Sequence, residues 1–352
     1  MRVLRTVALA VVTGAAAALA ALLFRALGLP LALILGGMAG GALIANLWAV
    51  MPGGRLVRRA GQMAVGLSIG ALLDPSVLDV LLRMAPTMIL VAVLANLAGA
   101  LIARPAARLA GVDRTSALLC CLPAGLAEMA TLAREIAADE QAVTLVHTLR
   151  VAIVITLIPL WLALTGHPAH GTAPAHPFVA ADLTALLPLL GASLAIAWAA
   201  TRLGVINAFV LTPMLLVLAV AATGLRIPPV PDIVLAPAEV AIGATLGLRL
   251  RLDRLGRLPR IALGGLVSGT VLFLVSFFLF VPLVGWGTGL DPLSSVLSAA
   301  PGGLGEMVAS AGALGILAAP IACFQLSRTV ITNLCVAPLV RWHVTRERQR
   351  AA

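Results

Sequence analysis

The chain has 352 residues, 61% of them hydrophobic and 11% charged, with a mean hydropathy of +1.09 and a net charge of +10 at pH 7. A soluble domain is about one-quarter charged. Here apolar runs of membrane-spanning length recur from end to end without strict alternation, which excludes a water-soluble fold and a β-barrel and leaves an all-α polytopic membrane protein. The positive charge is entirely arginine and falls in short loops between apolar runs, with no basic helix carrying interleaved aromatics, so it reads as membrane orientation and excludes nucleic acid as a partner.

Residues 1–25 resemble a secretory signal, with Arg2 and Arg5 before an apolar core and alanines. An internal repeat argues against cleavage. Leu27, Gly28, Ala32, Leu35 and Met38 match Leu203, Gly204, Ala208, Leu211 and Met214, and removal of the first run would leave the first copy one helix short. Gln62, Ala64, Gly66 and Gly70 align with Glu239, Ala241, Gly243 and Gly247, His147 aligns with Gln325, and Arg150 with Arg328. The offset of 176 to 178 defines a first repeat over 1–165 and a second over 180–345, with a linker at 166–179 and a tail at 346–352. The linker segment His167–Pro177 is broken by proline and glycine, and its three histidines read as solvated.

Each repeat holds six apolar segments, near 7–24, 29–50, 60–73, 84–103, 115–137 and 141–164, and near 183–201, 205–223, 233–248, 261–283, 292–315 and 316–340. Equivalent loops carry opposite charge. Arg55, Arg58 and Arg59 follow the second segment of the first repeat, where the second repeat has Arg226, prolines and Asp232. After the third segment the bias reverses, with Asp74, Asp79 and Arg83 set against Arg249, Arg251, Arg254, Arg257 and Arg260. Arg104, Arg108 and Arg114 face a counterpart loop with only Asp291, and Arg341, Arg346, Arg348 and Arg350 close the second copy. The positive-inside rule then places equivalent loops on opposite sides of the membrane, an inverted-topology repeat of the kind found in secondary transporters. It predicts a multi-pass protein of the cell inner (plasma) membrane with both termini cytoplasmic. Each copy must cross an odd number of times, so one segment of six enters and leaves on one side.

The candidate is the fifth segment, which carries PAGLAEM (Pro123–Met129) in the first copy and PGGLGEM (Pro301–Met307) in the second. A re-entrant hairpin turned at Pro123–Gly125 and Pro301–Gly303 satisfies the parity; a broken crossing helix, with the short third segment failing to span, is the alternative. Proline has no N–H and glycine no Cβ, so each turn frees backbone groups that need partners at membrane depth. The helix start after each turn aims amide N–H groups inward, which suits an anion, while Glu128 and Glu306 suit a cation or a proton. Arg150 and Arg328 lie well inside the next apolar segment, where each would neutralise the glutamate of its own half or bind an anionic substrate. Pro123, Gly125, Pro301, Gly302, Gly303 and Gly305, with Glu128, Glu306, Arg150 and Arg328, form the expected substrate and ion site. His147, Gln325, Glu239, Thr332 and Asn333 are secondary candidates, along with Thr131.

Asn46, Asn96 and Asn207 read as helix glue, and glycine pairs such as Gly36-Gly37 and Gly40-Gly41 as close-packing positions. Cys120, Cys121, Cys323 and Cys335 lie in apolar runs without metal-ligand spacing. No cofactor, metal, nucleophile triad or nucleotide loop is expected, and no enzyme activity.

The doubled P-(A/G)-G-L-(A/G)-E-M segment, followed by an arginine-bearing helix, resembles the AbrB family of bacterial integral membrane proteins, and nearly the whole chain fits its duplicated layout. This family is distinct from the small soluble DNA-binding protein of the same name. Members carry transcriptional-regulator and ammonia monooxygenase labels. The first implies an effect on gene expression, indirect here for want of a DNA-binding module; the second needs a metal site that no ligand cluster supplies. Ala124 and Ala127 stand where the second copy has Gly302 and Gly305, so the first turn is expected to be stiffer. The expected function is secondary transport of a small solute, with an anion as one candidate, coupled to H⁺ or Na⁺. The alternative is a membrane regulator without turnover. Self-association is left open.

Overall fold

Inside lipid a segment must close its backbone hydrogen bonds within itself, and among the described residues every regular element is helical. The structure is a computed structural model that describes residues 2–29, 31–48, 54–71, 77–164, 180–205, 207–225, 227–251, 258–340, 342 and 344. The linker 166–179, the tail 346–352, and Asp74, Arg226, Arg254, Arg257 and Arg341 lie outside them.

In chain order the helices are α1 (Arg2–Ala26), α2 (Ala32–Leu47), α3 (Gly54–Ala71), α4 (Val77–Ala110), α5 (Arg114–Cys121), α6 (Leu126–Glu135), α7 (Glu140–Leu164) and α8 (Ala180–Arg202). They continue as α9 (Ala208–Ala221), α10 (Asp232–Gly247), α11 (Pro259–Val275), α12 (Val281–Thr288), α13 (Pro292–Ala299), α14 (Leu304–Ala313) and α15 (Ala318–Ile331). Two π-helical turns, Ser276–Phe280 and Thr332–Val336, extend α11 and α15. Among the described residues five stretches are long and apolar enough to cross a membrane: Leu9–Ala26, Asp79–Ala110, Glu140–Leu162, Pro259–Thr288 and Ala318–Val340. The chain is an all-helical, multi-pass membrane protein.

The fifth segments are broken where proline and glycine stand. Helices α5 and α13 have 8 residues each, and α6 and α14 have 10. At 1.5 Å per residue these limbs are about 12 and 15 Å long, too short to cross alone. Asp113 accepts from the Ser116 amide at 2.9 Å to start α5, and Asp291 accepts from the amides of Leu293 and Ser294 at 3.0 Å to start α13. Such caps are worth about 1 kcal/mol each.

Left-handed backbone positions recur at matching places in the two sequence halves. Positive φ angles occur at Gly28 and Gly204, Leu31 and Asn207, Gly111 and Gly289, and Ala137 and Gly315. Each pair is separated by 176 or 178 residues.

Helices pack into two compact units that cut across the sequence halves. The first comprises Met1–Val80, Ile158–Arg251 and Gly305–Ala319, and so gathers the first three segments of both halves. Its helix crossings depend on missing Cβ atoms. A Cβ at Gly243 or Gly247 of α10 would lie 2.1 or 2.0 Å from the carbonyl oxygens of Ile34 and Met38 in α2. The same crossing recurs between α3 and α9, where Gly66 and Gly70 face the carbonyls of Val210 and Met214 at 2.4 and 2.8 Å. Gly37 and Gly41 of α2 meet α10 in return. Small residues let backbones touch where lipid offers no hydrophobic drive.

The second unit comprises Leu81–Leu157, Leu252–Leu304 and Pro320–Ala352, most of the last three segments of both halves, with α14 left to the first unit. It holds both turns. Met84, Met88 and Val91 of α4 pack with Phe280, Val284 and Phe324 in its core. Gly99 brings α4 onto the end of α5, where a Cβ would meet the Cys121 carbonyl at 2.7 Å. Gly269 of α11 packs against the Arg150 stem, where a Cβ would lie 3.5 and 3.6 Å from the arginine Cα and Cβ.

Candidate functional site

The first turn runs in extended conformation, Leu122 at φ −62°, ψ 137° and Gly125 at φ −70°, ψ 144°. An extended chain presents successive carbonyls to opposite sides and leaves them without helical partners. Arginine side chains supply those partners. Arg150, near the middle of the Glu140–Leu162 span, donates from Nη1 to the Leu122 carbonyl at 2.9 Å and from Nη2 to Ala124 at 3.2 Å. Arg328, near the middle of the Ala318–Val340 span, donates from Nη1 to Ala300 at 2.8 Å and from Nη2 to Gly302 at 2.7 Å. All three pairs, Leu122 with Ala300, Ala124 with Gly302 and Arg150 with Arg328, are separated by 178 residues.

The residue one helical turn before each arginine completes the brace. His147 makes a 2.8 Å bond through Nε2 to the Leu119 carbonyl and a 3.0 Å bond through Nδ1 to Arg150 Nη2. Arginine can only donate, so Nδ1 is the acceptor and the imidazole is the neutral Nε2–H tautomer. In the second copy Gln325 donates from Nε2 to Leu297 at 2.9 Å and accepts from Arg328 Nη2 through Oε1. Leu297 is again Leu119 plus 178. A neutral histidine and a glutamine share one property, a donor at one end and an acceptor at the other. That property unites two residue types that look unrelated in the alignment of the repeats.

The copies differ at the Nε atoms. Arg328 Nε donates to the Pro123 carbonyl of the first turn at 3.0 Å. Carbonyls 122, 123 and 124 are therefore all taken, the outer two by Arg150 and the middle one by Arg328. Arg150 Nε is buried and has no partner, and Arg150 is 2% exposed. Neither Arg150 nor Arg328 forms an ion pair with a carboxylate among the described residues.

The glutamates sit in different surroundings. Glu128 is in the first turn of α6, and a Cβ on Gly125 would fall 1.8 Å from its Oε2. Gly125 has an ordinary extended dihedral, and a side chain there would displace the Glu128 carboxylate from its present position. Glu306, in the first turn of α14 and 2% exposed, pairs with Arg58 of α3. Gly305 makes room there, since its Cβ would meet Gln62 Nε2 at 2.7 Å. Arg249, just past α10, belongs to the same neighbourhood; burial first, and then the Arg58 charge, press its pKa down to about 10 while Glu306 opposes them.

A model of the AbrB family, described as transition state regulatory protein AbrB, matches residues 43–344, a range that holds both turns, both bracing arginines and Arg58. The chain belongs to the AbrB family. The uncharacterized protein YhjN of Bacillus subtilis (strain 168) is 29% identical over 301 residues, which cover 80% of this chain and 77% of that protein. No solved structure matches.

Of the residues singled out in this AbrB protein, Pro123, Arg150, His147, Gly302, Gln325 and Arg328 are joined in one bonded cluster. Pro301 and Gly303 lie in the second turn between α13 and α14. Thr332 starts the π-turn and donates to Asn96 Oδ1 of α4 at 2.9 Å and to the Arg328 carbonyl at 2.8 Å. Asn333 follows in that π-turn, with its buried Nδ2 lacking a partner. Glu239 lies buried in α10 of the first unit. Sequence reasoning missed Arg58 as the partner of Glu306. Arg58 looks like one orienting arginine among several, and only its spacing of one helical turn from Gln62 hinted that both look toward one neighbour. Among the described residues no group of histidine, cysteine, aspartate and glutamate could hold a metal ion.

Proposed function

We propose that this AbrB-family protein is a secondary carrier of a small solute, coupled to H⁺ or Na⁺ through Glu128 and Glu306. The observation that carries the reading is the doubled arginine-braced turn. Two non-helical backbone segments, each held by a buried arginine from the middle of an apolar span, are what a substrate path needs and what a passive bundle has no use for. In this reading the repeats are inverted, the turns cap re-entrant hairpins, and the second unit carries them through alternating access. The loop chemistry supports that. Asn46, at the end of α2, donates to the Leu250 carbonyl past α10 at 2.7 Å, and Arg58 and Arg249 share one neighbourhood. Arginine-rich loops from non-equivalent positions of the two copies thus meet at one end of the first unit, as the positive-inside pattern requires. The protein then sits in the cell inner membrane with both termini cytoplasmic.

The test is solute-dependent movement of H⁺ or Na⁺ in proteoliposomes loaded with a pH- or sodium-sensitive dye, across a panel of organic acids, amines and sugars. Coupled flux is expected for at least one member, and its loss in Glu128→Gln/Glu306→Gln. No coupled flux with any member, or full coupling in the double variant, sinks the reading.

The family description as a transition-state regulator favours a second reading, a membrane protein without turnover that changes gene expression through a partner. A knockout phenotype in gene expression that Glu128→Gln/Glu306→Gln complements fully, with no flux in vesicles, would select it.

A further inference from the structure

Two guanidiniums are buried in the second unit with only carbonyls, a histidine nitrogen and a glutamine oxygen as partners. Neutral acceptors satisfy geometry but not charge. A buried cation without a counter-ion is costly, and proteins pair such charges or neutralise them with a ligand. Glu306 is committed to Arg58 in the first unit, and neither arginine has a carboxylate within ion-pair distance among the described residues. The two positive charges are also close in space. Arg150 grips carbonyls 122 and 124 and Arg328 grips carbonyl 123, so the two guanidiniums flank one extended strand of three residues.

Resting on the carrier reading above, we propose that Arg150 and Arg328 bind a small oxyanion, a carboxylate or a phosphate, through their Nε edges. Arg150 Nε is the vacant donor, buried and without a partner. Arg328 Nε is engaged by the neutral Pro123 carbonyl at 3.0 Å, which an anionic oxygen outcompetes because it adds a charge–charge attraction to the guanidinium that a neutral carbonyl lacks. The ligand therefore takes both Nε–H groups and releases Pro123. The link it breaks is the one by which the second-copy arginine holds the first-copy turn. Binding and freeing of the turn become one event, as coupling between site and motion requires. The terminal nitrogens stay on the Leu122, Ala124, Ala300 and Gly302 carbonyls, so both turns keep their own braces. The first free amides of α6 follow the same turn and add donors of the right sign.

The test uses the purified full-length protein in nanodiscs at constant ionic strength in chloride. Succinate, inorganic phosphate and the neutral isostere succinamide are titrated, with thermal unfolding as readout. A saturable rise in Tm with succinate or phosphate, none with succinamide, and at least tenfold weaker apparent binding in Arg150→Lys and Arg328→Lys is expected. Lysine keeps the charge and loses the Nε edge. The stronger of the two arms names the source of the oxyanion. No saturable response to either oxyanion overturns the proposal, as does a response kept within twofold in both lysine variants. Should a variant fail to fold, hydrogen exchange on the wild type decides: the oxyanion must speed exchange of amides 124–128, and unchanged exchange overturns it. Coupled flux of a neutral or cationic solute without oxyanion binding would sink this inference and leave the carrier reading standing.

Discussion

The two turns share a skeleton and differ in everything attached to it. In both, an arginine holds the carbonyls on either side of a proline, and a residue three positions earlier passes that arginine's remaining hydrogen bond to the preceding helix. The first turn hands its proline carbonyl to the other copy's arginine, and no arginine of either copy takes the second turn's proline carbonyl among the described residues. The first glutamate folds over its own turn at Gly125, while the second pairs with Arg58. The π-turns Ser276–Phe280 and Thr332–Val336 both belong to the second copy; their counterparts in the first lie in the uninterrupted α4 and α7. What the two turns have in common is what holds a broken helix together. Divergence is concentrated where charge and mobility are set, and π-turns commonly mark functional positions.

The largest expected effect follows from counting orphaned acceptors. Arg328→Ala leaves the carbonyls of Pro123 and Gly302 and the Gln325 oxygen without their donor, while Ala300 keeps Gln325 Nε2 and the Gly302 amide; Arg150→Ala strands Ala124 and His147 Nδ1, while Leu122 keeps the Ala124 amide. Each buried acceptor left unpaired costs about 1–3 kcal/mol, partly recovered by water. Arg328→Ala should lower stability by about 4 kcal/mol or prevent folding, and Arg150→Ala by less, as read by thermal unfolding in detergent. Equal losses would mean that the Pro123 bond contributes nothing and that the asymmetry between the copies is cosmetic.

Next comes the contrast between the glutamates. Glu306→Gln removes the charge that balances Arg58 and should destabilise by about 2–4 kcal/mol. Glu128→Gln removes a favourable charge from a helix start, which alone costs about 0.3–1 kcal/mol, in addition to what its other contacts contribute. In a double-mutant cycle, Arg58→Gln with Glu306→Gln should recover about 1–3 kcal/mol relative to the sum of the single losses. Additive losses would show that the ion pair is incidental.

Much of this was legible in the sequence. Periodicity of the repeat located both turns, both arginines and the His147–Gln325 equivalence without any structure, because a duplicated fold repeats its exceptions as faithfully as its rules. What each arginine holds was not legible. Charge pointed to a glutamate of the same half or an anionic substrate as partner, and not to the carbonyls that the turns had freed. The reason is that a sequence shows side-chain charge but not the orphaned backbone acceptors beside it. Arg58 escaped for a related reason. Its position in an arginine-rich loop already had a sufficient explanation in membrane orientation, and the first unit brings segments from both copies together in a way no local pattern announces.

A smaller effect, with opposite sign, tests whether the backbone of the two copies is really one design. Ala137 adopts φ 51° at the end of α6, and its counterpart Gly315 adopts φ 65° after α14. An alanine in the left-handed region is strained, and glycine is not. Ala137→Gly should raise stability by about 0.5–1 kcal/mol after the entropy glycine loses on folding, seen as a higher Tm. A loss would place the first copy's loop under a different constraint from the second.

The smallest effect is the sharpest discriminator. His147→Gln writes the second copy's residue into the first. If His147 serves only to donate to Leu119 and accept from Arg150, glutamine does the same, as Gln325 shows with Leu297 and Arg328. The variant should then match the wild type to within about 1 kcal/mol, while His147→Ala, which strands both partners, should lose about 2 kcal/mol or more. The same pair separates structure from proton transfer. If Nδ1 serves only to accept from Arg150, its lone pair is not available to carry a proton. Coupled flux in proteoliposomes should therefore survive His147→Gln with an unchanged pH profile. A stable variant whose flux loses its pH dependence would instead put His147 on the proton path, and the two copies would then differ in chemistry as well as in charge.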